Sequence, residues 1–227
     1  MRKGYSIDIS KKKCVTPVCR GSYVNLLEAR PLPESEKLAW GMQCLFPKSD
    51  PDVIEWVKEI KGVFAQVLID KFGMEKAKTV VASIKTPIRD GDASTEADKE
   101  LQGYWFMNAN NVFRQPHIIG PMGKPVDPET LTVDDIYSGA WYRVMLEFWY
   151  YDKAGNKGIS SSIAAAMKVK DDDNLGSGTT KVEAAGAFEG FADEAAVMAT
   201  GGNAEEDTVA ATPGVKADNG ASEFSFL

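Results

Sequence analysis

The stretch Ala140-Trp141-Tyr142-Arg143-Val144-Met145-Leu146-Glu147-Phe148-Trp149-Tyr150-Tyr151 interleaves aromatic and ionisable side chains. Alternate residues of a strand share a face. One face then carries Tyr142, Val144, Leu146, Phe148 and Tyr150, an apolar set suited to a core. The other carries Trp141, Arg143, Met145, Glu147, Trp149 and Tyr151. Burying Arg143 and Glu147 without partners is costly, so this second face is expected to meet solvent. Outward aromatics beside a positive charge suit stacking on unpaired bases.

A second mixture lies in Gly103-Tyr104-Trp105-Phe106-Met107-Asn108, followed by Phe113 and Arg114. One strand phase offers Tyr104, Phe106 and Asn108, the other Trp105 and Met107, and alternation alone leaves both open. Cations that can meet phosphate near these elements include Lys85, Arg89, Arg114, Arg143 and Lys157. Strand phase ranks the stacking candidates as Trp149 and Tyr151, then Tyr104 and Phe106, then Trp141 and Phe113.

Signals for catalysis are thin. The lone histidine, His117, leaves no multi-histidine metal site and has no nucleophile elbow near it. Arg89-Asp90-Gly91-Asp92 places two carboxylates two apart, yet Asp-Gly is first a turn signal and no calcium-loop spacing follows. Cys14, Cys19 and Cys44 form no CxxC pair, so reduced, partly buried thiols are expected in place of a zinc site or a disulfide framework. No enzyme activity, metal or cofactor is expected.

The elements that must position these groups are mainly strands. Leu38–Phe46 alternates with period two, Cys14–Cys19 is a short strand interrupted by Pro17, and Ala140–Tyr151 pairs with Gly158–Lys170 through the turn Asp152–Asn156. Gly103–Ala109 and Asn111–Ile119 are expected to form another hairpin across the Asn-rich turn 108–111. Pro51, behind Ser49 or Asp50 as cap, opens one amphipathic helix of about 20 residues, with Val53, Val57, Ile60, Phe64, Val67 and Leu68 inward, Trp56 on the margin and Gly73 as its end. A weaker helical stretch follows near Glu75–Val81, and a short turn of helix near Val133–Tyr137. Strands surrounding one long helix imply a small barrel, not a doubly wound sheet.

Charge divides the chain. The whole carries −7, but residues 1–170 hold 24 Lys+Arg against 21 Asp+Glu, or +3, while residues 171–227 hold 2 against 12, or −10. Those last 57 residues contain ten Leu, Ile, Val or Phe, too few to offset their chain entropy, so 171–227 is expected to be a disordered acidic tail. It closes on Phe224, Phe226 and Leu227, apolar groups that a passive solubilising tail does not need. No apolar run approaches a membrane span and the start lacks a secretory h-region, so a cytoplasmic protein is expected.

Four stretches, in order, carry a resemblance: Arg20-Gly21-Ser22-Tyr23-Val24-Asn25-Leu26-Leu27-Glu28, Pro87-Ile88-Arg89-Asp90-Gly91-Asp92, Ile136-Tyr137-Ser138-Gly139 and Tyr151-Asp152-Lys153-Ala154-Gly155-Asn156-Lys157-Gly158. Together they resemble a bacteriophage single-stranded DNA-binding protein family, formerly a domain of unknown function, over roughly residues 14–176. The resemblance implies a variant OB-fold barrel at 1–170 that coats single-stranded DNA in phage replication inside the infected bacterial cell. It also implies an acidic tail whose terminal aromatics contact replication proteins, a role that Phe224, Phe226 and Leu227 would fill here. The alternative is a non-enzymatic phage structural or interaction protein whose aromatic face is a protein contact. A 57-residue tail reaches roughly 40 Å against a body radius of about 15 Å, so it can compete with DNA for a basic groove on any face.

Overall fold

A computed structural model describes residues 3–32, 36–93, 96–153 and 155–176, together with 187, 188 and 191. It divides into a unit spanning Met1–Thr180 and a second spanning Lys181–Leu227. In the second, Ala187, Phe188 and Phe191 are described, and all three are exposed. Phe224, Phe226 and Leu227, with most of the expected tail, lie outside the described residues.

The first unit is mainly β, as expected. Its strands are β1 (Ser6–Asp8), β2 (Lys13–Val15), β3 (Cys19–Pro31), β4 (Leu38–Pro47), β5 (Arg89–Asp90), β6 (Tyr104–Asn111), β7 (His117–Ile119), β8 (Pro125–Val126), β9 (Trp141–Lys153) and β10 (Asn156–Lys170). They join in one sheet ordered β5-β6-β4-β3-β9-β10-β7-β8, with β2 pairing to both β1 and β9. The sheet curls until β6 meets β10, where side chains close the seam. Asn111 Nδ2 donates to the Ile163 carbonyl at 3.1 Å, and Ser161 Oγ donates to the Asn108 carbonyl at 2.9 Å. Both polar side chains are buried, and satisfying them there avoids the cost of an unpaired buried group.

Alternation along β9 decides which side of the barrel is core. Tyr142, Val144 and Leu146 are fully buried and Phe148 nearly so, while Trp141, Arg143, Met145 and Glu147 are half-buried and Trp149 is exposed. The β9–β10 hairpin forms as anticipated, with Asp152 opposite Lys157. In β4, Met42, Cys44 and Phe46 are buried as the period predicts, whereas Leu38 is exposed at its end.

The hairpin expected at 108–111 does not form. Residues 104–111 continue as one strand, β6, because they pair without interruption to β4, from Tyr104 opposite Pro47 to Asn111 opposite Trp40. The chain then crosses over, and β7 joins β10 in parallel. The short helix expected near Val133 is a single hydrogen-bonded turn, with the Ile136 amide donating to the Thr132 carbonyl.

The single helix divides into α1 (Pro51–Glu59) and α2 (Lys61–Phe72), followed by α3 (Met74–Val80). Asp50 is the cap, its carboxylate accepting from the Asp52 amide at 2.8 Å. The break falls at Ile60, whose carbonyl accepts from the Val63 amide at 2.9 Å, a tightened turn. The break is compatible with burial, since Ile60 and Val63 are both sealed from solvent. Trp56 is not marginal: it is fully buried, its ring 4.7 Å from that of Phe46. Phe64 meets Phe148 edge-on at 5.3 Å and Phe72 meets Tyr150 at 5.0 Å, which seats the helices on the inner face of β9. Cys14, Cys19 and Cys44 are free thiols buried in this core, and burial pushes the Cys14 thiol up to about 12.

Candidate nucleic-acid interface

Residues paired directly across a sheet share a face, so the register fixes what the outside of the barrel presents. One row runs Arg89 (β5), Phe106 (β6), Leu45 (β4), Arg20 (β3), Trp141 (β9) and Lys170 (β10). Phe106 and Leu45 are buried yet stand outside the core cluster, because this outer layer covers them. The Arg89 guanidinium lies 4.4 Å from the Phe106 ring centroid, within cation–π range. The next row carries Ser22, Gln43 and Asn108, with Gln43 Nε2 donating to Asn108 Oδ1 at 3.1 Å. Asn25, Gly41 and Asn110 follow. The face therefore grades from cations and aromatics to neutral amides.

Two concavities occupy this surface and share Asn108. A basic groove of about 630 Å³ is lined by Lys85, Arg89, Tyr151, Asn156 and Ser160. An amide trough of about 760 Å³ is lined by Tyr23, Asn25, Arg30, Gln43 and Asn110, with Leu175 and Gly176 at its margin.

Local chemistry positions the groove. Lys85 exchanges backbone hydrogen bonds with β10, its amide donating to Lys157 at 3.2 Å and its carbonyl accepting from Ile159 at 2.8 Å, which lays the segment towards Arg89 along the strand. Beyond Arg89, the Lys48 ammonium bridges the carboxylates of Asp90 and Asp92. The Lys48 contact holds Asp90 below the usual carboxylate range, while Asp92 is lowered first by the Gly103 amide and then by Lys48. The two acids noted in the sequence thus fasten a turn. On the opposite wall the Tyr151 ring lies over Gly158, where a Cβ would come within 2.6 Å of it. Glycine there lets the tyrosine lie flat against β10.

At the trough, the chain leaving the barrel is fixed in place. Trp141 Nε1 donates to Asp172 Oδ2 at 2.6 Å, a bond that lowers the Asp172 pKa, and the Tyr137 hydroxyl donates to Asp171 at 2.9 Å. Arg20 donates to the carbonyls of Gly139 and Asp173 at 3.1 and 3.0 Å. Residues 171–175, assigned by composition to the tail, are therefore held against the barrel, the last by the Leu175 amide donating to the Ser138 carbonyl at 3.0 Å. Gly139, at φ +111, leaves room for the Asp173 carbonyl, which a Cβ would meet at 2.0 Å.

The same turn shapes Tyr23. A bulge interrupts the β3–β4 ladder between Ser22 and Asn25, and Tyr23 within it has φ +49. A left-handed conformation costs a bulky residue on the order of 1–2 kcal/mol. It is held from both sides: the Gly139 amide donates to the Gly21 carbonyl at 2.7 Å, and the Val24 amide to Ser138 Oγ at 2.9 Å. Tyr23 is 76% exposed.

A family model described as Enterobacter phage Enc34, ssDNA-binding protein, matches residues 12–198. The chain belongs to the Enc34 single-stranded DNA-binding protein family. The single-stranded DNA-binding protein of bacteriophage Enc34, solved in complex with single-stranded DNA, superposes with a TM-score of 0.61 at 20% identity, covering 75% of this chain and 97% of that one. A second structure of the bacteriophage Enc34 single-stranded DNA-binding protein gives 0.56 at 21% identity, covering 82% and 99%. Gp2.5, the single-stranded DNA-binding protein of bacteriophage T7, gives 0.51 at 14% identity, covering 89% and 100%. At such identities the likeness is one of fold, and it agrees with the variant OB barrel that the resemblance of the four sequence motifs implied. No curated protein matches the sequence.

Within this Enc34-family chain, the residues singled out from the sequence are unevenly gathered. Tyr151, Lys85 and Arg89 line the basic groove. Trp149, 42% exposed, stands beside it opposite Ser160 on β10. Phe106 lies beneath Arg89, and Tyr104 is half-buried one step along the same strand face. Trp141 is half-buried and bonded to Asp172. Arg143 turns a guanidinium nitrogen to the Thr16 carbonyl at 3.3 Å, and Lys157 is 3.6 Å from Asp152. Phe113 and Arg114 are exposed on a loop whose amides donate to Asn111 Oδ1 at 3.1 and 3.2 Å, away from both concavities. His117 is exposed on β7. Tyr23 and the amide wall went unrecognised in the sequence; the positive φ that marks Tyr23 has no signature in the string.

Proposed function

We propose that the protein binds single-stranded DNA along the outer face of its barrel, sequence-tolerantly, by stacking bases on Trp149 and Tyr151 and by pairing phosphates with Lys85 and Arg89. The observation that carries this reading is the basic groove itself: two exposed cations and an outward tyrosine line one concavity, with an exposed tryptophan on the same strand face. The relatives named for this activity support it. Stacking supplies affinity without reading sequence because every base has a π face, and each neutralised phosphate adds salt-dependent affinity through counterion release.

The remaining cations and aromatics of the face, Arg20, Trp141 and Lys170, extend the same surface. The acidic tail beyond Gly176, carrying −7 at residues 177–227 with 2 Lys against 9 Asp+Glu, competes for the groove when DNA is absent, and its Phe224, Phe226 and Leu227 end docks on phage replication proteins in the infected cell. The test is a titration of the full chain with single-stranded and duplex oligonucleotides across a salt series. Tight, salt-sensitive binding that favours single strands supports the reading. No binding at any salt overturns it in favour of a protein-contact face.

A further inference from the structure

The amide trough differs from the basic groove in one respect that bears on what it holds. Its lining carries no net charge: the amides of Asn25, Gln43 and Asn110 are set beside apolar Leu32 and Met42, while Arg30 and Glu100 oppose each other in charge. Such a wall is poorly suited to a run of phosphates and well suited to the edge of an unpaired base, since amides can satisfy any of the four bases. Into this trough the fold projects Tyr23. The ring is largely exposed although it is large and apolar, and its backbone is held in a left-handed conformation by two hydrogen bonds from the Ser138–Gly139 turn. Packing does not require this, because the side chain points away from the core, and a glycine would relieve the strain. Strain maintained by its surroundings, at a position that gains nothing in stability from it, marks a residue kept for what it touches.

We propose that Tyr23 is a base-stacking platform of the amide trough, with the neighbouring amides hydrogen-bonding the edge of the stacked base. The trough and the groove then divide the work: bases seat at Tyr23, and the sugar–phosphate chain runs through Asn108 to Lys85 and Arg89. This assignment rests on the reading that the outer face binds single-stranded DNA, and extends it to a second contact.

The experiment compares the full-length protein with Tyr23→Gly, Tyr23→Phe and, as a control on the groove, Arg89→Ala, by fluorescence anisotropy with a mixed-sequence single-stranded oligonucleotide over a salt series, alongside thermal melts. Loss of one stacked base weakens binding by roughly 5- to 150-fold. Tyr23→Gly is expected to lose affinity in that range with its salt dependence unchanged, and to melt at or above the parent's temperature. Tyr23→Phe is expected to bind like the parent. A Tyr23→Gly protein that binds like the parent overturns the assignment, as does a Tyr23→Phe protein as weak as the glycine variant. If the parent binds and Arg89→Ala responds while Tyr23→Gly does not, only this inference fails. A parent that does not bind fails the functional reading beneath it.

Discussion

The basic groove and the amide trough lie on one face of one barrel and meet at Asn108, yet they are built differently. The groove takes Lys85 from the connection after α3 and Arg89 from the short edge strand β5, and uses β9 to hold its aromatics. The trough is made by the sheet's own side chains, at a point where the β3 ladder is broken and the backbone is strained. Charge placed at the edge of the sheet and on the connection leading to it suits a partner recognised by its backbone. Neutral amides set in strand register suit a partner recognised by its bases.

The largest effect expected from breaking this division is at Trp149. Trp149→Ala should weaken single-strand binding by roughly 5- to 150-fold with an unchanged salt slope, measured by anisotropy. A changed slope would mean that the tryptophan acts on phosphate positioning. The double variant Lys85→Ala and Arg89→Ala should instead lower the slope of log K against log salt by about 1.4, at roughly 0.7 for each phosphate contact on a single strand. An unchanged slope would remove the groove from the phosphate path. A smaller change should follow truncation after Gly176, which leaves the Trp141–Asp172 bond intact. Binding should tighten several-fold at low salt and converge with the full chain at high salt, because the competitor is an acidic segment.

The smallest expected effect is on pH. The Asp172 carboxylate has its pKa lowered by the indole N–H of Trp141, so the contact contributes stability above the unfolded value of about 4 and loses it as pH falls through the lowered one. Tryptophan fluorescence of the parent should therefore stay flat from neutral pH down to about 5 and change in more acidic buffer. Asp172→Asn, which has no such carboxylate, should not show that acid step. An identical titration in both proteins would show that the trough margin is not held by this charge.

Much of the groove was legible because β9 obeys strict alternation. Arg143 and Glu147 cannot share a core with Leu146 at tolerable cost, so their phase had to face out, and Trp149 and Tyr151 followed. Helical periodicity located α1 and α2 but not the break at Ile60, because a local tightening leaves the apolar spacing almost unchanged. The amide trough was illegible for a physical reason. Asn108-Ala109-Asn110-Asn111 has the composition of a turn, and only its partnership with β4 makes it a strand wall. Tyr23 was equally hidden, since its conformation is imposed by Ser138 and Gly139, far away in the chain.

Asn111 has one oxygen turned to the loop amides of Phe113 and Arg114 and one nitrogen turned to the Ile163 carbonyl across the barrel seam. Its amide therefore has a polarity, and the two ends serve different structures. An isosteric carboxylate would keep the acceptor, lose the donor and set a buried charge against the Ile163 carbonyl. Position 111 thus ties the lie of an exposed loop to a seam that the Ser161–Asn108 bond also closes.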